Sequence, residues 1–312
     1  MTDVNIKRML VSADLRALMQ IDDFLAARDL TIRIVVEICL VLLFYYYFEN
    51  GNYFFGSFVF YVLAVWHSFW GYAGIGHELM HGRVFSYRRL NTIFFSLSSF
   101  LVWSNPVFFK KSHNFHHTHT FHTDDRESNG IQNWSLFRII LYLSFDFPFM
   151  IRKVYYSFLN ASGLIPLTDG RFAKIDRKEK IAARQLLLFQ LLVNLFIYLM
   201  CESLVYNILW LLLPFTGLFI NRVLAQSQHI GLNQFSHKGP LAHSRSIRLP
   251  RLLTFLYAGM NYHAEHHLLP SIPYYNLPLF SSFLIKNSNH YVHDWSPFFT
   301  KELWYHVRVL SK

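Results

Sequence analysis

The chain has 312 residues, of which 53% are hydrophobic, 18% aromatic and only 15% charged. A soluble domain carries about a quarter charged residues, so composition excludes an ordinary soluble globule. The net charge of +10 is dispersed between apolar tracts rather than gathered with aromatics on one polar domain, which argues against a nucleic-acid binder.

The opening segment MTDVNIKRMLVSADLRALMQ lacks the apolar core and small-residue cleavage site of a signal peptide, so membrane insertion is expected from internal helices. Spanning a bilayer takes about 20 mostly apolar residues. Residues 34–48 and 53–75 form a first pair of such tracts. Residues 93–109 contain Asn105-Pro106 and read as a half-membrane or interfacial helix, and residues 134–150 carry Arg138 and Asp146 and read as an interfacial amphipathic helix. Residues 185–201 and 204–220 form the second pair, broken at Cys201-Glu202-Ser203. Glu37 and His67 fall inside the first pair. An ionisable group in a span is either functional or a hydrogen-bonded residue facing the bundle. Cys39 and Cys201 lie in apolar tracts and offer neither a disulfide framework nor a thiolate metal site. No linker or repeat divides residues 1–312, so the expectation is one all-α integral-membrane domain.

The turns at 49–52 and 201–203 contain no Lys or Arg, whereas the remaining connections hold Arg83, Arg88, Arg89, Lys110, Lys111, Arg152, Lys153, Arg177, Lys178 and Arg245 among others. The positive-inside rule then predicts two helical hairpins dipping from the cytoplasmic face, with both termini on that face.

Seventeen histidines are many for this length, and they cluster. Box one is His77-Glu78-Leu79-Met80-His81. Box two is His113-Asn114-Phe115-His116-His117, and box three is His263-Ala264-Glu265-His266-His267. Residues at i, i+3 and i+4 share one helix face, so each box presents its imidazoles together. Two, three and three histidines make eight, too many for one ion and enough for two. Imidazole suits iron, zinc, copper and nickel. All three boxes fall in segments that the charge pattern places on the cytoplasmic side, outside the spans. Metal transport would instead need a path of ligands within the spans.

The order HxxxH, HxxHH, membrane-bearing insert, HxxHH, with the tail NYHAEHHLLPSIPYYNLP at 261–278, resembles the membrane fatty-acid desaturase family and its related hydroxylases and alkene-forming oxidases. The resemblance runs from about residue 67 to 278. It implies four transmembrane helices with a cytoplasmic helical cap holding two iron ions (Fe2+), and one more histidine upstream of box three, here His229 in Gln228-His229-Ile230-Gly231-Leu232. The implied metal ligands are His77, His81, His113, His116, His117, His229, His263, His266 and His267. Ser244-Arg245-Ser246 resembles the family's short basic motif before box three. Glu78, Glu265, Asp124 and Asp125 are candidates to orient imidazole N–H groups. His119, His122, His237, His243, His290, His293 and His306 are expected in surface or supporting roles. The implied reaction is O2-dependent desaturation of an acyl chain drawn from the bilayer. Hydroxylation is the alternative, since HELMH also resembles alkane hydroxylases. The chain has no HPGG heme segment and no cysteine set for an iron–sulfur cluster. Electrons are therefore expected from a separate ferredoxin or cytochrome b5-like donor.

Overall fold

The computed structural model describes residues 13–121, 125, 127, 135–143, 147–164, 175–232, 240–288, 290–302 and 304. His122, Asp124, Trp134, Asp146, His237 and His306 lie outside them. A short helix α1 (Ala13–Leu18) leads to α2 (Asp23–Glu49). The Asp22 carboxylate starts α2 by accepting from the N–H groups of Phe24 and Leu25, at 2.9 and 3.0 Å. Asn50 ends it, and Asn52 caps α3 (Tyr53–Ser68), which packs back along α2.

The second predicted span needs correcting. With 16 residues, α3 rises about 24 Å, short of the roughly 30 Å hydrocarbon core. The apolar run 53–75 is not one helix because residues 69–74 fold into turns, with Ile75 N bonded to Phe69 O. A Cβ at Gly74 would lie 1.9 Å from Phe69 O, so this fold-back requires glycine. It delivers the chain directly into α4 (Ile75–His81), the box-one helix.

Helices α5 (Arg88–Leu101) and α6 (Pro106–Thr118) meet at a bend of 102°. Asn105 and Pro106 make the bend: the Asn105 side chain accepts from Val107 N and Phe108 N, and proline occupies the first helical turn. This is the tract predicted as a half-membrane helix. The predicted interfacial helix at 134–150 becomes α7 (Leu136–Leu143) and the start of α8 (Phe147–Ser162). Helix α7 is amphipathic, burying Ile139 and exposing Phe137 and Ile140.

A capping box of Asp176 and Glu179 opens α9 (Arg177–Cys201). The predicted break follows, with Glu202 in the left-handed region (φ +48°) and Ser203 capping α10 (Leu204–Thr216). At Gly217, before α11 (Leu218–Ser227), a Cβ would lie 2.2 Å from Ala64 C, so this junction presses its backbone on α3.

Among the described residues three stretches are long and apolar enough to cross a membrane, namely Leu15–Glu49, Arg177–Cys201 and Leu204–Ser227. Counting the bent α5–α6 pair as one span gives four. Their apolar windows are only 17%, 11% and 39% buried, so most of that oily surface faces outward, as lipid requires. Glu37 and His67 face each other between α2 and α3. His67 Nδ1 stands 2.6 Å from Glu37 Oε1, its Nε2 stands 3.1 Å from Leu101 O, and Trp70 Nε1 donates to the second Glu37 oxygen. This pair fastens helices together and lies outside the histidine clusters. Both cysteines are free.

The remainder comprises α12 (Pro240–His243), β1 (Ser246–Arg248), α13 (Arg251–Leu256), the box-three helix α14 (His263–Leu268), α15 (Leu277–Asn287) and β2 (Val292–Asp294). Strands β1 and β2 pair in parallel, Ser246 opposite Val292. Among the described residues, the all-α expectation is thus corrected to a mostly helical fold with one two-stranded sheet. Nothing in the hydropathy pattern marks three-residue strands, and their pairing is long-range. Leu15, Leu79, Ile272, Leu277 and Phe280 are buried together and join α1, α4 and α15 into the core beneath the box-one helix.

Candidate metal centre

Helix geometry supplies the imidazoles in pairs. His77 and His81 lie one turn apart on α4, His113 and His117 on α6, and His263 and His267 on α14. The three helices, together with the segment after α11 that carries His229, converge and sort their histidines into two groups, within each of which the donor atoms lie within 4.8 Å of one another. The first is His77, His81, His113, His117 and His266, and the second is His116, His229, His263 and His267. All nine histidines singled out in the sequence are brought together. Each HxxHH triad is divided: α6 gives two rings to the first group and one to the second, and α14 does the reverse.

The rings meet through Nε2. His266 Nε2 lies 3.0 Å from that of His77, 3.1 Å from that of His81 and 3.2 Å from that of His117, and His117 Nε2 lies 2.9 Å from that of His113. In the second group the distances are 3.1 Å for His116–His267, 3.0 Å for His263–His267 and 2.9 Å for His229–His263. One N–H cannot serve three neighbours, so several nitrogen lone pairs point into the same small space. Each group could therefore hold a metal ion. The absence of thiolates suits harder, imidazole-preferring metals.

Burial favours the neutral form, with a lone pair to donate, in eight of the nine rings. It holds His77, His113, His263, His266 and His267 well below the ordinary histidine range. It lowers His81 and His229 to about 3 and His117 to about 2. His116 differs: burial would lower it, but Glu127 and Asp125 outweigh burial and raise it.

The outward-facing nitrogens fix the tautomers. His113 Nδ1 donates to Glu127 at 2.8 Å, His116 Nδ1 to Asp125 at 3.0 Å, and His229 Nδ1 to the His243 carbonyl at 2.7 Å. With Nδ1 protonated, Nε2 is left as the ligating atom in each of the three. Glu127 also accepts from Ser112 Oγ at 3.1 Å and Tyr72 Oη at 2.8 Å. Tyr72 stands in the fold-back before α4, edge-on to His113.

A fatty acid desaturase family model matches residues 52–298. The chain belongs to the fatty acid desaturase family. No curated protein matches it. Both groups of histidines in this desaturase-family chain fall within the matched segment.

The acidic candidates fare unevenly. Asp125, one of the four candidates, accepts from His116 Nδ1. Glu78 Oε1 stands 3.4 Å from His266 Nδ1 without a hydrogen bond, and burial pushes its carboxyl up to about 8. Glu265 turns away from the rings to Ser246 and His290. Glu127 and Tyr72 were missed, and no periodic spacing points to them. The one available hint was the run of acids Asp124, Asp125 and Glu127 just after box two. His119 stacks on Phe115 and meets Thr118 Oγ1, away from both groups.

Proposed function

We propose that the two histidine groups each hold one iron ion and that the protein desaturates a lipid acyl chain. The observation that carries this reading is the convergence of nine imidazoles, seven buried and two half-buried, into two adjacent groups, in a membrane-helix protein of this family. Iron would supply O2-dependent oxidation: CH2–CH2, O2, two electrons and two protons become CH=CH and two waters.

The chain's own residues do the rest. Asp125, Glu127 and the His243 carbonyl hold three rings with Nε2 aimed inward. Burial of the imidazoles excludes bulk water, which protects a reactive centre from side reactions. The outward apolar faces of α2, α9 and α10 keep the molecule in lipid, so an acyl chain arrives from the bilayer side. The Lys- and Arg-free turns at 50–52 and 202–203 support two hairpins with the metal centre on the cytoplasmic face. There a ferredoxin or cytochrome b5-like donor would meet exposed basic side chains such as Arg88, Arg89 and Lys110.

The test is lipid profiling by mass spectrometry in cells expressing the wild type, His116→Ala or His266→Ala. New double bonds with the wild type, and none with either variant at equal membrane insertion, are expected. New hydroxyl groups would replace desaturation by hydroxylation, and product from both variants would refute the metal assignment.

A further inference from the structure

Ser244-Arg245-Ser246 belongs to neither histidine group, yet its residues are only 4%, 6% and 1% exposed. Arg245 Nη1 donates to Ser227 O at 2.9 Å and to Ile230 O at 3.0 Å, on either side of His229, and Arg245 N donates to Gln228 O at 2.9 Å. Carbonyls at a helix C-terminus lack intrahelical donors. One residue therefore satisfies three carbonyls at the end of α11, where His229 sits. The guanidinium also lies 4.8 Å over the buried ring of Phe298, in the C-terminal segment.

Ser246 faces the other way. Its Oγ donates to Glu265 and accepts from Ala264 N at 3.1 Å, which secures the first turn of α14. Beside it Ile247 N donates to Asn261 O at 2.8 Å, and Asn261 Nδ2 returns to Ile247 O at 2.9 Å. Glu265 takes a second bond, 2.7 Å, from His290 Nε2, carried in on the segment that adds β2 to β1. Adjacent residues thus join the segment bearing His229 to the helix bearing His263 and His267. The result is visible between the rings, where His229 Nε2 and His263 Nε2 stand 2.9 Å apart.

We propose that Arg245, Ser246 and His290 are positioning residues for the four-histidine group, fixing His229 against His263 and His267. Four of the five members of the other group, His77, His81, His113 and His117, sit on α4 and α6, which the bracket does not hold. The inference rests on the reading of each group as an iron site, and predicts that the two sites can be separated by mutation.

The experiment compares full-length protein in detergent micelles, loaded with 57Fe, as wild type, Arg245→Met, Ser246→Ala and His290→Asn. Iron per chain, retention against a chelator and the Mössbauer spectrum are measured. Wild type holding other than two irons overturns the diiron reading itself. Given two, Arg245→Met is expected to hold about one, keeping the spectral component of the five-histidine group. Ser246→Ala and His290→Asn are expected to bind two but to hold one of them 10–100-fold more weakly, the usual cost of losing support behind a metal ligand. Wild-type retention and spectra in all variants overturn the inference, as does parallel loss of both irons. If Arg245→Met does not fold, the two milder variants decide on the same readouts.

Discussion

At His266 three other Nε2 atoms crowd within 3.2 Å, and this single contact set says more about metal binding than the count of histidines does. The same scale explains why a carboxylate outside the boxes matters. Glu127 gathers three donors, among them His113 Nδ1, and burial raises its pKa rather than leaving it an ordinary surface acid. Glu127→Gln keeps the shape but replaces an acceptor oxygen with an amide that cannot receive from all three. Iron affinity is expected to fall 10–100-fold, read as faster loss to a chelator. Tyr72→Phe should cost less, since His113 keeps its acceptor. Unchanged retention in Glu127→Gln would mean that this carboxylate does not orient His113.

At the scale of elements, the metal centre depends on how helices start and stop. Helix α6 is held to the start of α9 by Lys111, whose ammonium reaches Asp176 at 2.6 Å and Glu179 at 2.7 Å. Asp176 also serves the capping box. Asp176→Ala is expected to cost about 1 kcal/mol, the usual loss of a helix N-cap, measurable as a lower Tm in detergent. The bonds from Lys111 and from the N–H of Glu179 hold the Asp176 carboxyl below its usual value of 3.8. A carboxyl with a lowered folded pKa stabilises the protein fully above the unfolded value and loses that effect as pH falls through the folded one. The deficit of Asp176→Ala should therefore be full near neutrality and shrink below about pH 4; a deficit that does not change with pH would show that the carboxylate charge is irrelevant. The HxxHH boxes also act at this scale. On α6 and α14 the i, i+4 pair serves one group and the i+3 ring the other, so each helix is shared by both centres.

For the whole molecule, the proposed iron sites, built from nine imidazoles on helices from distant parts of the chain, link metal binding to folding. A ligand bound only by the native state stabilises it by RT ln(1 + [L]/Kd), about 4 kcal/mol at a thousandfold excess over Kd. Stripping the iron should thus lower Tm by several degrees, and adding Fe2+ anaerobically should restore it. A Tm indifferent to iron would mean that the histidine-bearing helices are held by the apolar core alone. That core, with Leu79, Ile272 and Leu277 at its centre, already joins α1, α4 and α15, so the iron-free protein is expected to stay folded.

The sequence by itself determined the family, the histidine boxes and most of the membrane character. Histidine spacing at i, i+3 and i+4 depends only on helix periodicity, and apolar length depends only on composition, so the boxes and the break at Cys201-Glu202-Ser203 were legible locally. The end of α3 was not, because residues 69–74 are as oily as a helix, and their turn is closed by the long-reaching bond from Ile75 N to Phe69 O over a glycine with no Cβ to obstruct it. Nor was the assignment of His116 to one group and its neighbour His117 to the other, since both lie on the same face until α14 and His229 arrive to divide them. Glu127, Tyr72 and the Arg245–Ser246 bracket were decided by tertiary structure alone. Their partners are 14, 55 and up to 19 residues away, and a hydrogen bond closed across such a loop leaves no period in the sequence.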